Sequence, residues 1–178
     1  NEAKNEKFDG WDLNFEHGLA STDGQTNNGK KFLGKFLRKL ALKLKDNSKI
    51  LDVTIGGFDS RERENDWIFD LDSLRNITNI RHIKIMAYDQ NIGPRGDALK
   101  RVLPVGAYTW VRDVLNYVIN TRHISSKRVI LGIPNYGWAY RETSPESKIY
   151  ERLDNYYTYQ DRMAIKNFTT TTLNNINH

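Results

Sequence analysis

The stretch KILDVTIGGF, residues 49–58, is rich in β-branched and aliphatic residues and ends in Gly-Gly. This composition predicts a buried strand. The segment IRHIKIMAYD (80–89) has the same character, and RVILGIPNYG (128–137) is predicted to be a strand that runs into a Pro/Gly turn. The segment FDGWDLNFE (8–16) alternates polar and apolar residues with the two-residue period of a strand. The sequence therefore predicts four strands.

Helical segments are predicted between these strands, over residues 30–45, 69–78 and 107–120. The first of them has apolar residues at helical spacing on one side and basic residues on the other. Its apolar side is predicted to be Leu33, Phe36, Leu40 and Leu44. Its basic side is Lys31, Lys35, Arg38 and Lys39. The resulting order, β-α-β-α-β-α-β with short links, is typical of parallel strands joined by crossover helices.

Two α/β architectures have this order, an open doubly wound sheet and a (β/α)8 barrel. The sequence has neither G-x-G-x-x-G nor G-x-x-x-x-G-K-[ST], the phosphate loops of nucleotide-binding open sheets. Polar residues instead follow the strands at their carboxyl ends, where barrels collect their active sites. These residues are Glu16, Tyr88, Asp89, Asn135 and Tyr136. We predict an α/β fold, a partial (β/α)8 TIM barrel over residues 1–140, followed by an irregular tail over residues 141–178.

The composition excludes several classes of protein. The chain has 178 residues and no Cys, so disulfides, thiolate metal sites and cysteine nucleophiles are excluded. No stretch has the ~20 apolar residues that a membrane-spanning helix needs. The 27 Lys and Arg against 22 Asp and Glu give a net charge of +5. We interpret the basic helix over residues 30–45 as a solvated outer helix and not a nucleic-acid surface, because aromatic residues are not interleaved on its predicted basic side.

Three strand sequences resemble motifs of the family 18 glycoside hydrolases, the chitinases and related N-acetylglucosaminidases. FDGWDLNFE is similar to the D-x-x-D-x-D-x-E motif of that family's fourth barrel strand. IKIMAYD resembles the sixth strand, which ends in Met-x-Tyr-Asp, and RVILGIPNYG resembles the seventh, with G-x-P-x-Y-G. The three motifs occur in the family's order, and the bacterial branch that includes spore cortex-lytic enzymes is the most similar in character.

The resemblance implies retaining hydrolysis beside an N-acetylglucosamine unit, assisted by the substrate's own 2-acetamido group. It implies Glu16 as the acid and base, Asp12 and Asn14 as its neighbours on one strand face, and Tyr88 as the tyrosine that holds the acetamide. The substrate-binding residues that it implies are Asp89, Met86, Tyr136 and Asn135. The implied partner is an N-acetylglucosamine polysaccharide, chitin or peptidoglycan, with no cofactor, no metal and no nucleic acid. The family also implies a secreted or cell-wall-associated protein.

The sequence departs from the family at several points. Asn14 stands where the family has Asp, and an amide lacks the charge that stabilises the positive intermediate. The second hypothesis is therefore a catalytically weak or inactive chitinase-like carbohydrate-binding protein, and the third is an unrelated α/β binding domain. A cation site at Asp12 and Glu16 is less favoured, because Asn14 is neutral.

The resemblance covers neither the whole family barrel nor every residue of the predicted strands. It does not cover the family's first three strands or its eighth, and we expect the tail from residue 141 to begin the insertion that many members have between strands seven and eight. Lys84 has the strand parity of Met86 and Tyr88, and nothing in the sequence explains a lysine on that face.

Overall fold

The structure is a computed structural model that describes residues 8–15, 26–90, 98–99, 104–144, 146 and 149–158. The chain divides into two compact units. The first unit comprises Asn1–Met86 and Val111–Gly132. The second unit comprises Ala87–Trp110 and Ile133–His178.

Strands and helices alternate along most of the described chain. The strands are β1 (Gly10–Asn14), β2 (Ile50–Gly56), β3 (Ile80–Met86), β4 (Ala98–Leu99), β5 (Val129–Gly132), β6 (Tyr136–Ser144) and β7 (Ile149–Thr158). The α-helices are α1 (Thr26–Asp46), α2 (Arg61–Asn65), α3 (Leu71–Asn76) and α4 (Tyr108–Asn116). A π-helical segment, Tyr117–Thr121, continues α4, and a 3₁₀ turn, Ser126–Arg128, precedes β5.

The first unit contains a four-stranded parallel sheet in the order β1-β2-β3-β5. Helix α1 connects β1 to β2, and α2 and α3 connect β2 to β3. This arrangement confirms the predicted α/β fold with parallel strands and crossover helices. In the described part of the chain the sheet has open edges at β1 and β5, so the strands form part of a barrel that is not closed.

The core of the first unit lies between one face of the sheet and the helices. Alternate residues of β2 and β3 are fully buried, as the two-residue period of a strand requires: Leu51, Val53, Ile55, Ile83 and Ile85. Helical side chains are buried with them: Leu37, Leu71, Leu74, Val114 and Val118. Each such side chain contributes about 1.5–3 kcal/mol through its removal from water, and these apolar residues therefore hold the sheet and helices together.

The buried side of α1 differs from the side that the sequence predicts. The buried residues are Leu33, Leu37, Ala41 and Leu44. The prediction that Phe36 belongs to the buried stripe is wrong, because its side chain is exposed. Apolar residues occupy more than one side of this helix, so its periodicity is compatible with two stripes. Contact with the sheet selects the stripe that contains the small side chain of Ala41.

The second unit contains a three-stranded antiparallel sheet in the order β4-β7-β6. The sequence predicts a strand that runs into a Pro/Gly turn over residues 128–137, and the structure ends β5 at Gly132 and begins β6 at Tyr136. Pro134 lies between them, and a proline has no N–H to donate to a strand ladder. Strand β7 lies within the tail in which the sequence has no clear period. The predicted boundary at residue 140 stays a prediction.

Candidate active site

One face of the parallel sheet has polar side chains on three neighbouring strands. They are Asp12 of β1, Asp52 and Thr54 of β2, and His82 and Lys84 of β3, and we call them the polar strand face. Register places Asp12 beside Asp52 and Thr54 beside Lys84. Residues paired in this way point to the same side of a sheet, so charges of both signs meet here.

The Lys84 ammonium group lies between two carboxylates. Its Nζ is 3.2 Å from Asp12 Oδ2 and 3.5 Å from Asp52 Oδ2. The Thr54 hydroxyl donates a hydrogen bond of 2.9 Å to the same oxygen of Asp12. Lys84, which the sequence alone leaves unexplained, therefore neutralises two acids on adjacent strands.

Asp52 also completes the backbone pairing of the sheet. The register of β2 with β3 shifts between Leu51 and Val53, and there the Asp52 carboxylate accepts a hydrogen bond of 3.1 Å from the His82 backbone N–H. Burial acts to raise the pKa of Asp52, but its hydrogen bond with His82 and the charges of His82, Lys84 and Arg81 outweigh burial and lower that pKa. Asp52 therefore stays ionised near neutral pH.

Asn14 is the last residue of β1 and is exposed. It lies beside Thr54 in the register, and it alternates with Asp12 along β1, so the two side chains share a face. Glu16 follows at the next alternate position of the sequence and lies outside the described residues. Its role as acid and base therefore stays a prediction.

The second unit has a cluster of three aromatic rings around a carboxylate, which we call the aromatic–carboxylate cluster: Tyr88, Asp89, Tyr136 and Trp138. Trp138 Nε1–H donates a hydrogen bond of 2.8 Å to Asp89 Oδ1. The Tyr136 ring lies edge-on to Tyr88 and Trp138, with centroid distances of 6.2 Å and 5.9 Å. Edge-to-face pairs of this kind stabilise each other beyond simple burial and hold the rings in fixed orientations.

Asp89 organises this cluster through its backbone and its side chain. Its φ of 59° is in the left-handed region, which Asp tolerates better than most residues. Burial and a hydrogen bond to Asp89 raise the pKa of Tyr136 above its ordinary value. The Tyr136 phenol therefore stays protonated and remains a hydrogen-bond donor at any physiological pH.

A close backbone contact supports the segment that begins this unit. A Cβ added at Gly106 would lie 2.9 Å from the Ala87 carbonyl oxygen, so only glycine fits there without a shift. The Gln90 N–H donates to the Val105 carbonyl oxygen at 3.1 Å. These contacts fix the chain on both sides of Tyr88 and Asp89.

The structure thus brings the predicted residues Tyr88, Asp89 and Tyr136 together in the second unit. In the first unit, Met86 ends β3 beside Gly132 and is half-buried. Asn135 is exposed in the link between β5 and β6. Within the described residues, no group of three or more His, Cys, Asp or Glu side chains is arranged to hold a metal ion.

Neither Trp138 nor Asp52 is among the site residues predicted from the sequence. Trp138 comes two residues after Tyr136, so strand alternation alone would have placed it on the same face. Asp52 interrupts an otherwise apolar strand, and a charged residue at such a position must find a partner. Both residues could therefore have been selected from the sequence.

No family model and no curated protein matches the sequence at a significant level, but solved structures match the fold. A chitinase from Chromobacterium violaceum matches with a TM-score of 0.64 and 22% identity, over 88% of this chain and 43% of that chain. A class V chitinase from Pseudomonas fluorescens matches with a TM-score of 0.62 and 22% identity, over 88% and 42%. The spore cortex-lytic enzyme of Bacillus megaterium matches with a TM-score of 0.59 and 21% identity, over 86% and 31%.

These matches show that the chain has the fold of a glycoside hydrolase barrel. More particularly, the fold is that of the chitinases and chitinase-like glycosylases, which confirms the resemblance of the three strand motifs at the level of the fold. The chain spans less than half the length of each of these three structures.

Proposed function

We propose that the chain belongs to a glycoside hydrolase that acts on polymers of N-acetylglucosamine, chitin or peptidoglycan. The observation that carries this proposal is the position of Asp12 and Asn14 at alternate residues of β1, in a parallel sheet of the chitinase fold. The same strand sequence continues to Glu16, which completes the resemblance to the family 18 motif. The names of the matching structures, which include chitinases and a spore cortex-lytic enzyme, support the substrate class.

In the proposed reaction the substrate supplies the nucleophile and the protein supplies the proton. The acetamido oxygen of the sugar attacks the anomeric carbon while Glu16 protonates the departing glycosidic oxygen. Water then attacks the same carbon, Glu16 accepts the proton of that water, and the oxazolinium ring opens. Asp12 and Asn14 form hydrogen bonds along the face of the strand that leads to Glu16.

The aromatic–carboxylate cluster has the chemistry of a sugar-binding surface. Tyr88, Tyr136 and Trp138 offer ring faces and edges on which a pyranose packs, and the Tyr136 phenol donates its one proton to Asp89, so its oxygen can accept a hydrogen bond from a sugar hydroxyl. We assign Tyr88 and Asp89 to the acetamide, and Tyr136, Met86 and Asn135 to the neighbouring sugar contacts.

Replacement of the proposed acid tests this function most directly. We expect Glu16→Gln to lower turnover by about 10²–10⁴-fold and to keep binding, because the amide is isosteric but cannot donate and recover a proton. Turnover is measured with a chromogenic chitobioside and with peptidoglycan, on this chain and on any longer reading frame that contains it. Binding of chitin oligomers is followed by tryptophan fluorescence.

Glu62→Gln is the matched control for this experiment, because Glu62 is an exposed acid of α2 in the same unit. It should leave both turnover and binding unchanged. A Glu16→Gln protein that turns over substrate at the rate of the unsubstituted protein contradicts the catalytic assignment.

Restoring the family's acid at position 14 tests the mechanism. We expect Asn14→Asp to raise turnover, because a carboxylate would face the positive intermediate and would raise the pKa of Glu16 by like-charge repulsion. Asn14→Ser is the control, because it removes the amide without adding charge. Equal or lower turnover in Asn14→Asp would show that the amide has its own role.

A specific observation favours a second candidate, a carbohydrate-binding protein without hydrolytic activity. Asn14 adds no charge to the polar strand face, and the charge of Asp12 is shared with Lys84. Such a protein would bind chitin oligomers with no turnover, and Glu16→Gln would leave its binding unchanged.

A further inference from the structure

The exposed side of α1 combines basic side chains with apolar side chains. Phe32 is 69% exposed and Phe36 is 48% exposed, and Leu42 is also exposed. The exposed basic residues of the helix are Lys31, Lys35, Arg38, Lys39, Lys43 and Lys45. We call these apolar and basic residues together the α1 outer face. The interpretation of this helix as a solvated outer helix depended on the absence of aromatic residues from its basic side. The two exposed rings of the α1 outer face remove that reason.

Helical geometry places the two rings among the cations. At 3.6 residues per turn, Phe32, Phe36, Lys39 and Lys43 follow one line along α1, and Lys35 lies beside this line. Phe32 therefore lies beside the ammonium groups of Lys39 and Lys43, and Phe36 lies between Lys43 and the half-buried Leu40, at the edge of the exposed side.

The positive charge of this face is not neutralised within the described residues. None of the six basic side chains of the face forms an ion pair with the described part of the chain, whose ion pairs involve other cations such as Lys84, Arg61 and Arg122. One acid, Asp46, lies at the end of the same helix. The face is therefore complementary to a surface of dense negative charge.

Packing within the described residues does not explain the apolar residues of the face. The opposite side of α1, with Leu33, Leu37, Ala41 and Leu44, packs in the core. Among the described residues, no contact removes the large apolar area of Phe32 and Phe36 from water. An exposed apolar patch rimmed by charge is typical of an interaction surface.

We propose that the α1 outer face binds an anionic lipid bilayer with the helix parallel to the membrane surface. Phe32, Phe36 and Leu42 would enter the boundary between headgroups and acyl chains, and the basic side chains would contact lipid phosphates. No helix of the described residues is long and apolar enough to cross a bilayer.

The composition of the face favours lipid over nucleic acid. A single-stranded nucleic acid would account for the cations and for the two rings, on which bases stack, but not for the exposed Leu42, whereas a bilayer removes all three apolar side chains from water. Five of the six cations are lysines, and the face has one arginine, the residue that reads bases most often. This inference is independent of the proposed function.

Vesicle flotation tests the proposal, because bound protein rises with the lipid and aggregated protein sinks. The 178-residue chain should float with vesicles of phosphatidylglycerol and phosphatidylcholine and not with phosphatidylcholine alone. Flotation should decrease as salt is raised. Lys35→Glu/Lys39→Glu should lower the partition coefficient at least about tenfold, since each cation near the surface contributes to binding. Phe32→Ser/Phe36→Ser should lower it by about tenfold.

The matched control is Arg63→Glu/Lys127→Glu, which makes the same change in net charge at exposed residues away from α1. It should bind within about twofold of the unsubstituted chain. Because the substituted side chains are exposed, the variants should keep the thermal midpoint of the unsubstituted chain, and the salt series tests the charge requirement without any substitution.

Three results would overturn the proposal. One is equal flotation with phosphatidylcholine alone. Another is an equal loss of binding in the control variant. The third is unchanged flotation of Phe32→Ser/Phe36→Ser together with tight binding of duplex DNA, which would show a general polyanion surface.

Discussion

Two charged clusters of the first unit are built from the same kinds of side chain and differ in their exposure. Glu64 is 1% exposed and lies in a cluster of cations and donors. On the polar strand face, the side chains of Asp12 and Lys84 are 39% and 35% exposed. The difference separates a cluster that stabilises the fold from a cluster that water and a ligand can reach.

Both oxygens of the Glu64 carboxylate have partners. Tyr117 donates a hydrogen bond of 2.7 Å to Oε2, and the Leu71 backbone N–H donates one of 3.1 Å to Oε1. Arg122 Nε lies 3.1 Å from Oε2, and Arg61 Nη1 lies 3.2 Å from Oε1. A buried charge is tolerated only with such complete pairing, and this cluster joins α2, α3 and the π-helical segment.

The polar strand face has pairs of the same chemistry in contact with solvent. Water screens the attraction of Lys84 to Asp12, so this pair contributes little to folding. Lys84 can separate from Asp12 without leaving a buried charge behind, whereas Asp52, the buried acid of this face, also accepts a hydrogen bond from the His82 backbone N–H. The same carboxylate–cation pairing is therefore structural at Glu64 and available for binding at the strand face.

The largest expected effect on stability is the loss of the buried charge. Glu64→Gln should lower the free energy of unfolding by about 3–5 kcal/mol, because the buried guanidinium of Arg122 then loses a negative charge that compensates its own. Urea unfolding monitored by circular dichroism measures the change. Glu62→Gln, on the exposed side of the same helix, should stay within about 0.5 kcal/mol. Equal losses in the two variants would contradict the assignment of Glu64 as the buried centre.

The next effect is expected at the hydroxyl that serves Glu64. Tyr117→Phe should lower the free energy of unfolding by about 1–3 kcal/mol, because it leaves a buried acceptor with one donor fewer. Tyr108→Phe, at an exposed tyrosine of α4, is the control and should have no effect.

Ionisation of Tyr117 should lower the stability of the chain at alkaline pH. Burial, with the hydrogen bond and the charge of Glu64, raises the pKa of Tyr117 from 10.0 to about 12. An acid whose pKa is raised by folding stabilises the folded state while the acid is neutral. This contribution to stability is therefore complete below about pH 10 and is lost as the pH rises through the folded pKa. Tyr117→Phe should flatten the decrease of the unfolding free energy over this window. A decrease equal to that of the unsubstituted chain would assign the effect elsewhere.

The smallest effect is expected on the polar strand face. Lys84→Met should change the free energy of unfolding by no more than about 1 kcal/mol at neutral pH, since the pair with Asp12 is solvent-exposed and the buried Asp52 keeps its hydrogen bond from the His82 backbone. A loss as large as that of Glu64→Gln would contradict the contrast between the two clusters. Lys127→Met, at an exposed lysine, is the control.

Unfolding at acid pH should show how much Lys84 contributes to the pKa of Asp52. The pKa of Asp52 is lowered from 3.8, so its contribution to stability is present above the unfolded value and is lost as the pH falls through the folded value. Lys84→Met removes one of the charges that lower this pKa and should reduce the loss of stability below about pH 4. Titration of the unfolding free energy from neutral to acid pH measures it.

Part of the candidate site could be predicted because its residues end predicted strands. Tyr88 and Asp89 follow β3, and Tyr136 begins β6 after the Pro134 turn. The structure brings these three together, and their roles with substrate stay predictions. Strand alternation with Tyr136 could have selected Trp138, but its hydrogen bond to Asp89 joins residues 49 positions apart and is seen only in the structure.

The sequence by itself determined the order of parallel strands and crossover helices, since the periods of β2, β3 and α4 depend on which neighbouring residues are apolar. Tertiary structure decided which stripe of α1 is buried, because both candidate stripes are apolar. Contact with the sheet buries Leu37 and leaves Phe36 exposed. Tertiary structure also decided the partners of Lys84, because strand register, and not distance along the chain, places Asp12 and Asp52 beside it.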